Sequence, residues 1–250
     1  MPLRKTIKYL TGVLIVLNTA SCSTEAVEIP PDYPNWQIGF TYPFMYPVSP
    51  YRDIYGVNEE QDWTSYLHRP YNPPKKLWKV RNVLDDQSYD GFGVQLGDVQ
   101  RSKQVAPTNS LPDQIYVKWM SIYDYADYFT VINITPEMKK VMLTPHPHPR
   151  GVDYPCYQNE FTLGLLPDGR AKLWLSGCLI YTYVGEFEPK TKKFYDGDEK
   201  RAPIMDSYEE QAKAKAVPVP WDKVNKVYYP KERFTMNTLE EALNESKRDH

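Results

Sequence analysis

The stretches Gln114-Ile-Tyr-Val-Lys-Trp-Met-Ser121 and Tyr128-Phe-Thr-Val-Ile-Asn-Ile134 decide the fold class of this chain. In the first stretch, Ile115, Val117 and Trp119 fall on alternate positions, so one side of an extended chain is apolar. The second stretch is rich in β-branched and aromatic residues, which favour strands, and a short loop separates the two. The sequence therefore predicts an antiparallel pair of strands.

A second strand pair is predicted further along the chain, around the turn Pro167-Asp-Gly-Arg170. The stretch Phe161-Thr-Leu-Gly-Leu-Leu166 leads into this turn, and Ala171-Lys-Leu-Trp-Leu175 leaves it. Residues 179–187 are expected to form another strand, with Gly177 as a bend or bulge before it.

Only a few short helices are expected. Thr135 is placed to cap a helix that begins with Pro136, because proline is well suited to the first helical position. Residues 206–216 are predicted to be helical as well. A C-terminal helix is expected after Asn237, which has Glu240 three residues on, as in a capping box.

Proline and tyrosine are unusually frequent, with 23 and 21 of the 250 residues. Proline breaks helix interiors and tyrosine suits half-buried strands, so a helical bundle is excluded. Residues 36–40 are expected to form the first strand, and residues 42–74 an irregular layer of extended segments. The pattern indicates an α+β, mainly β fold with antiparallel sheets and a few short peripheral helices, in a single domain over residues 35–250.

The charge balance argues against nucleic acid as a partner. Lys and Arg number 30 and Asp and Glu 32, so the formal net charge is −2 and no basic excess is present to bind a phosphate backbone. Hydrophobic residues make up 41% and charged residues 25%, which is typical of a globular protein rather than a disordered chain or a polytopic membrane protein.

Residues 1–21 are predicted to be a lipoprotein signal peptide. Arg4, Lys5 and Lys8 precede an apolar run over residues 10–17, which is far shorter than a permanent membrane-spanning helix. A charged head, a short apolar core and small residues before a cleavage site are the usual parts of a secretory signal.

Cys22 is the predicted site of lipidation. Ala20-Ser21-Cys22 resembles a bacterial lipobox, although Thr19 stands where an aliphatic residue is usual, which leaves ordinary signal cleavage as the alternative. Several acyl chains on this cysteine would hold the protein firmly on a membrane. Ser23 in place of aspartate favours the periplasmic face of the outer membrane, and residues 22–34 would form a tether.

Cys156 and Cys178 are the two remaining cysteines. In a secreted chain an even pair is most simply a disulfide, which would close a loop of about 22 residues and contribute about 3 kcal/mol. Two buried free thiols are the alternative.

No catalytic motif stands out in the sequence, which lacks a Gly-x-Ser-x-Gly turn, a P-loop and a Gly-x-Gly-x-x-Gly motif. His146 and His148 project the same way from an extended segment and could share a metal with Asp153 or Cys156, but no second pair completes a tetrahedral site. Clustered carboxylates at Asp85-Asp86, Asp196–Glu199 and Glu240-Glu241 lie in charged, turn-like surroundings, as solvated carboxylates do. We therefore expect neither an enzyme nor a metal or cofactor site.

The loop between the first two predicted strands is the candidate partner-binding surface. Tyrosine offers a large, rigid contact area with a polar tip, and acidic residues would complement a basic partner. The alternative is that these tyrosines only cover the sheet edge. The candidate residues are Tyr123, Asp124, Tyr125, Asp127 and Tyr128.

Several stretches of the chain resemble a family of uncharacterised bacterial lipoproteins. These are a Trp-x-x-Gly opening strand at Trp36–Gly39, a Leu-Pro-Asp strand entry ending in Trp-x-Ser at Leu111–Ser121, the Thr-Pro-Glu at Thr135–Glu137, a Pro-x-Gly turn at Leu165–Arg170, and a Trp-Leu-Ser-Gly strand at Lys172–Gly177. The resemblance covers the signal, the first strand and the core over residues 111–178.

Members of this family are often encoded beside type VI secretion phospholipases, which resembles the pairing of a toxin with its periplasmic immunity lipoprotein. This family has no agreed catalytic residues, so the resemblance assigns none to this chain. It implies that the protein acts as a lipase inhibitor, an immunity protein that binds and occludes a phospholipase effector. The alternative is an envelope scaffold or assembly lipoprotein without catalytic activity.

Overall fold

Strands are more abundant than helices in the structure, a computed structural model that describes residues 28–70, 76–194 and 218–246. The strands in these residues are β1 (Gln37–Thr41), β2 (Val48–Asn58), β3 (Trp63–Tyr66), β4 (Val94–Gln95), β5 (Gln100–Lys103), β6 (Gln114–Ser121), β7 (Ala126–Asn133), β8 (Glu160–Leu165), β9 (Ala171–Gly177), β10 (Ile180–Phe187), β11 (Thr191–Phe194), β12 (Val227–Tyr228) and β13 (Thr235–Thr238). The helices are α1 (Leu77–Leu84), α2 (Pro136–Leu143), α3 (Trp221–Val224) and α4 (Leu239–Ser246). The predicted α+β, mainly β class is confirmed.

Two large sheets contain eleven of these strands, and β4 and β12 pair in parallel as a small third sheet. One has six strands in the order β13-β10-β9-β8-β1-β5, and the other has five in the order β11-β7-β6-β2-β3. The five-stranded sheet is antiparallel throughout. The six-stranded sheet is mixed, because β1 runs parallel to β8 and β10 runs parallel to β13. The sequence did not predict these two parallel pairings.

Both predicted strand pairs are confirmed. β6 pairs with β7 along its whole length, and β8 pairs with β9 around the predicted turn. On β6, Ile115, Val117 and Trp119 are fully buried, while the residues between them are partly exposed. The apolar side of the strand therefore faces the core, as its alternation predicts.

The main core lies between the two sheets. Phe40 and Phe161 from the six-stranded sheet meet Ile54, Trp119 and Ile132 from the five-stranded sheet, and each of these side chains is at most 1% exposed. Burying one such side chain contributes about 1.5–3 kcal/mol, so contacts of this kind hold the sheets face to face.

A second core covers the other face of the six-stranded sheet. Trp174 and Tyr181 of this sheet pack with Val94, Leu96 and Val224, which come from β4, the segment after it and α3. The six-stranded sheet is thus buried on both faces, which explains why every residue of β8 is buried.

The two sheets are joined along one edge, where β3 meets the end of β5. Leu67 and Gln104 form a bridge between the sheets. The amide of His68 donates to the carbonyl of Lys103 at 2.9 Å, and the amide of Val105 donates to Tyr66 at 2.8 Å. We call this junction the closed edge.

Residues 42–70 are more regular than predicted. Instead of an irregular layer, β2 and β3 form an antiparallel hairpin, and β2 lies centrally beside β6. The register between β2 and β6 shifts between Pro50 and Ile54, and such an irregularity is a place where a strand tolerates proline. Residues 71–74 lie outside the described residues.

Part of the predicted tether belongs to the fold, which corrects its boundaries. Ile29 packs against the main core, and Tyr33 is only 4% exposed. The hydroxyl of Tyr157 donates to Asp32 at 2.7 Å. These apolar and hydrogen-bonding contacts arise without any periodicity in the sequence, so residues 29–34 gave no signal of being packed.

The signal peptide, Cys22 and residues 22–27 lie outside the described residues. Among the residues that are described, no helix is long and apolar enough to cross a membrane.

The helix after Thr135 is confirmed. The Thr135 side chain accepts a hydrogen bond from the amide of Met138 at 3.3 Å, and Pro136 occupies the first helical position. The predicted helix over residues 206–216 lies outside the described residues.

The predicted cap of the C-terminal helix is wrong by one residue. Asn237 is the third residue of β13, where its side chain accepts a hydrogen bond from Thr182 at 2.7 Å. Thr238 accepts from the amide of Glu241 instead, and the Glu241 carboxylate accepts from the amide of Thr238 at 2.7 Å. Pairing with β10 keeps Asn237 in the sheet, so the capping box starts at Thr238.

Cys156 and Cys178 form the predicted disulfide, with their Cα atoms 5.6 Å apart. It joins the segment before β8 to the turn between β9 and β10. Cys178 and Leu179 have φ angles of 54° and 63°, as the two central residues of a tight hairpin turn do. The predicted bend at Gly177 is explained by close approach, because a Cβ there would lie 2.2 Å from the carbonyl oxygen of Tyr157.

Candidate functional site

The loop predicted to bind a partner joins β6 to β7 and is packed onto the fold. The ring of Tyr123 meets the ring of Tyr46 edge-on, with 4.8 Å between centroids. Tyr125 has a φ of 53°, so the backbone turns in the left-handed region there. Tyr123, Asp124 and Tyr125 remain partly exposed, and they are the loop residues that a partner can reach.

Tyr128 is fully buried and supports this loop from below. Its ring stacks on Trp119 at 4.7 Å, and its hydroxyl donates to Asp124 at 2.5 Å. Burial raises the pKa of Tyr128, and the bond to Asp124 raises it further, so the hydroxyl stays a donor. The ring also fits closely over Gly169, where a Cβ would lie 2.2 Å away. Tyr128 is therefore not a surface anchor.

Asp127 lies on the outer face of the five-stranded sheet and is only 7% exposed. Its carboxylate is 3.9 Å from the Nζ of Lys118, which is also 4.0 Å from Asp53. Asp127 thus contributes to a short charged row beside the loop rather than to the tip of the loop.

The outer face of the five-stranded sheet carries a row of aromatic side chains that sequence reasoning missed. Tyr66 on β3, Tyr55 on β2 and Tyr116 on β6 are direct partners in the strand register. Phe129 on β7 extends the row. We call these four residues the aromatic face. A sheet with one solvated face usually has polar residues at such positions, so the apolar character is unexpected.

The four rings touch one another in sequence across the sheet. Centroids are 5.4 Å apart for Tyr66 and Tyr55, 4.7 Å for Tyr55 and Tyr116, and 6.0 Å for Tyr116 and Phe129. Tyr66 is 57% exposed, and the other three are partly exposed. Burial and the neighbouring tyrosines raise the pKa of Tyr55, so its hydroxyl is neutral at physiological pH.

This arrangement favours a protein partner over a sugar. The rings of Tyr55 and Tyr116 are stacked within 12° of parallel, so each covers a face of the other that a sugar would need for stacking. Their edges and hydroxyls remain for contacts, and tyrosines of this kind are common anchors in protein interfaces. Exposed apolar patches on soluble proteins generally mark interaction sites.

His146 and His148, the two candidate metal ligands, contact different groups. The ring of His146 lies 3.3 Å from the side-chain amide of Gln158, and burial lowers its pKa. The Nδ1 of His148 accepts from the amide of Arg150 at 3.2 Å. Cys156 is in the disulfide and cannot act as a thiolate ligand. In the described part of the chain, no group of three or more His, Cys, Asp or Glu residues could hold a metal ion.

Glu160 is a buried carboxylate that sequence reasoning also missed. Its side chain is 4% exposed and accepts hydrogen bonds from Arg101 at 2.6 Å and from Gln37 at 2.8 Å. The hydroxyls of Thr162 and Ser176 donate to its other oxygen at 2.8 and 3.1 Å. Because both oxygens are occupied from within the fold, this cluster serves the packing of the six-stranded sheet.

Asp85, Asp86 and Glu241, three of the clustered carboxylates, have structural roles, whereas Glu240 is exposed. Asp85 ends α1 with a left-handed φ of 55°. Asp86 accepts a hydrogen bond from the hydroxyl of Ser88 at 2.6 Å, and Glu241 caps α4. Residues 196–199 lie outside the described residues.

One model of a known protein family matches most of the chain. The model is described as "Protein of unknown function (DUF2931)" and matches residues 23–222. No curated protein matches the chain, and neither does any solved structure. The matched range begins just after Cys22 and includes both faces of the five-stranded sheet.

Proposed function

The chain belongs to the DUF2931 family, and we propose that it is a lipid-anchored, periplasm-facing immunity protein that binds and occludes a type VI secretion phospholipase effector. The aromatic face is the observation that carries this proposal. It offers a row of tyrosine and phenylalanine side chains on a rigid sheet, and binding energy in protein interfaces concentrates in such anchors.

The surroundings of the aromatic face support a protein partner further. The row of Asp53, Lys118 and Asp127 lies beside it, and the partly exposed loop residue Asp124 is 3.3 Å from Lys192. Charges at the border of an apolar patch steer association and set orientation more than they add affinity. The aromatic face would supply most of the affinity and the loop the selectivity.

Lipidation at Cys22 would place this surface where an effector arrives. The charged head, the apolar run and Ser21-Cys22 motivate this part of the proposal. When the protein is expressed with its own signal in a bacterium, it should incorporate labelled fatty acid and partition with outer membranes. Both should be lost in Cys22→Ala, and a wild-type protein without label would refute the anchor.

The main proposal predicts that a toxic phospholipase is encoded beside this protein, and co-expression of the two proteins tests it. The wild type should restore growth and co-purify with the lipase. Tyr66→Ala and Tyr116→Ala should each weaken binding by about 1–4 kcal/mol, as the loss of an interface anchor does. Tyr154→Ala is the matched control, since Tyr154 is 63% exposed but lies outside the aromatic face.

Variants in the loop separate its contribution from that of the sheet. Tyr125→Ala and Asp124→Asn should slow association and change its salt dependence. Full rescue by all aromatic-face variants would move the interface elsewhere. No rescue by the wild type would favour an envelope scaffold lipoprotein, which would instead co-purify with resident envelope proteins in cells without the effector.

A further inference from the structure

Helix α1 presents an apolar and basic surface on its outward side. Val80 and Leu84, each at most 2% exposed, hold the helix on the fold. On the opposite side Trp78 is 57% exposed and Val83 is 37% exposed. Trp78 and Val83 therefore give the outward side of α1 an apolar component.

The charges along this helix all have the same sign. Lys76 precedes the helix, and Lys79 and Arg81 lie within it, while residues 76–84 contain no Asp or Glu. The Nζ of Lys79 lies 5.6 Å from the ring of Trp78, so the basic and aromatic groups form one surface. We call Lys76, Trp78, Lys79 and Val83 the α1 surface.

One neighbouring basic residue adds to the positive charge along α1. Arg233 lies against the helix and donates to the carbonyl oxygen of Val83 at 2.9 Å. Asp85 and Asp86 follow the helix at its C-terminal end, so the positive charge is concentrated on Lys76, Lys79 and Arg81 along the helix itself.

We infer that the α1 surface rests on an anionic phospholipid membrane. Tryptophan is enriched where protein meets the membrane interface, because its apolar ring and N–H suit that boundary. Lysine stems can lie along the apolar region while their ammonium groups reach phosphates. Basic residues near an anionic leaflet each add attraction, so the exposed groups and their charge fit this one kind of partner.

The composition of the α1 surface distinguishes a membrane from a protein partner. Lysine is depleted in protein interfaces, whereas the combination of lysine with an exposed tryptophan is typical of peripheral membrane contact. The helix is also held in place without the membrane, because Arg81 donates to the carbonyl oxygen of Tyr89 at 2.8 Å and two helix residues are buried. Contact would orient the protein on the bilayer, a role that the proposed immunity function does not require.

Vesicle co-sedimentation of the full mature chain carrying Cys22→Ser tests this inference without any acyl chain. The protein should bind vesicles of phosphatidylethanolamine with phosphatidylglycerol and bind vesicles of phosphatidylcholine alone more weakly. Lys76→Ala and Lys79→Ala should each reduce partitioning about fivefold, which corresponds to about 1 kcal/mol per basic residue. Trp78→Ala should reduce it about tenfold, as the loss of one large apolar contact does.

Matched variants elsewhere on the surface complete the experiment. Trp221→Ala removes another partly exposed tryptophan, and Lys103→Ala removes an exposed lysine on β5; neither should change partitioning. Circular dichroism should show that every variant is folded.

Equal binding to both kinds of vesicle, or equal loss of binding in the Trp78 and Trp221 variants, would overturn the inference. Saturable binding of a purified envelope protein at the α1 surface, with no vesicle binding, would overturn it in favour of a protein contact. Neither result depends on an effector.

Discussion

Glu160 illustrates how a single residue can be essential to packing without any signal in the sequence. Its carboxylate accepts hydrogen bonds from four side chains. Three of them come from the strands β1, β5 and β9, and the fourth comes from β8, the strand of Glu160 itself. They come together only because β1, β5, β8 and β9 are adjacent in the sheet, and no sequence spacing records that order. Its neighbour in the sheet, Gly39, has no room for a Cβ, which would lie 2.7 Å from the Glu160 carboxylate.

Replacing Glu160 by alanine should destabilise the protein by about 2–4 kcal/mol, because it leaves buried hydroxyl and amide donors without an acceptor. Urea denaturation at neutral pH measures this loss. Glu188→Ala on the exposed surface should change the free energy of unfolding by less than about 0.5 kcal/mol. An effect of Glu160→Ala as small as that of the control would mean that the cluster is not structural.

Asp113 is the last residue of the Leu-Pro-Asp motif, and its carboxylate gives this position of the motif a structural role. Its carboxylate accepts from Lys139 of α2 at 2.5 Å and from the amide of Glu59 at 3.0 Å. Burial alone would raise the pKa of Asp113, but these donors and the charge of Lys139 outweigh it and lower the pKa below the ordinary 3.8. The residue thus ties the β2–β3 turn to α2.

The lowered pKa of Asp113 predicts how the stability of the protein changes in acid. A carboxylate with a lowered folded-state pKa stabilises the fold above its unfolded pKa, and this stability is lost as the pH falls below 3.8 through the folded value. Asp113→Asn should lose about 1 kcal/mol at pH 7, a figure reduced for partial exposure. The variant should also lose less stability than the wild type on further acidification. Identical pH profiles for the two proteins would contradict the assignment.

At the scale of elements, alternation in the sequence identified strands wherever one face is buried and the other is not. β6 is the clearest example, because Ile115, Val117 and Trp119 alternate with partly exposed residues. β2 was not recognised because Pro50 interrupts it and because the outward-facing Tyr55 weakens the alternation of apolar and polar residues. Helix α1 carried neither a capping residue nor an apolar stripe strong enough to be recognised, since Lys76 precedes it without a side-chain cap.

The cap of α4 can be tested directly. Thr238→Ala should destabilise the protein by about 1 kcal/mol, because the first helical turn loses an acceptor for its amide. Thr238→Ser should retain most of that stability, since serine caps as well. Thermal unfolding of the three proteins measures the difference. If Thr238→Ala were as stable as the wild type, Thr238 would not be the cap of α4, and Asn237 would again be the candidate.

At the scale of the whole molecule, the aromatic face could not be predicted from the sequence. Tyr55, Tyr66, Tyr116 and Phe129 meet only because β3, β2, β6 and β7 lie side by side in one register. The loop at residues 123–128 was recognised from its composition alone, but composition could not distinguish the buried Tyr128 from the partly exposed Tyr125. The disulfide was predicted because it depends on cysteine count and compartment rather than on the course of the chain.

We expect the closed edge to determine how the two sheets separate during unfolding, because hydrogen bonds join the sheets there. Gln104 is 7% exposed and fixes this edge, because its side-chain amide donates to the carbonyl oxygens of Trp36 and Thr108 at 2.8 and 2.9 Å. Its side-chain oxygen accepts from the hydroxyl of Ser65 at 2.9 Å. In contrast, all four residues of β11, at the far end of the five-stranded sheet, are exposed.

Hydrogen exchange should therefore reveal different protection at the two ends. The amides of His68 and Val105, bonded across the closed edge, should exchange only by global unfolding, whereas those of β11 should exchange by local fraying. Gln104→Ala should cost about 2–3 kcal/mol and speed exchange at His68 and Val105 beyond its effect on global stability, since it leaves buried polar groups unpaired. Gln100→Ala on the same strand is the control, because the side-chain amide of Gln100 donates to Asp98 and not across the closed edge in the described structure, and this variant should leave both amides protected. If the wild-type closed edge exchanged as fast as β11, the sheets would part there before the core unfolds, and the closed edge would not hold the two sheets together.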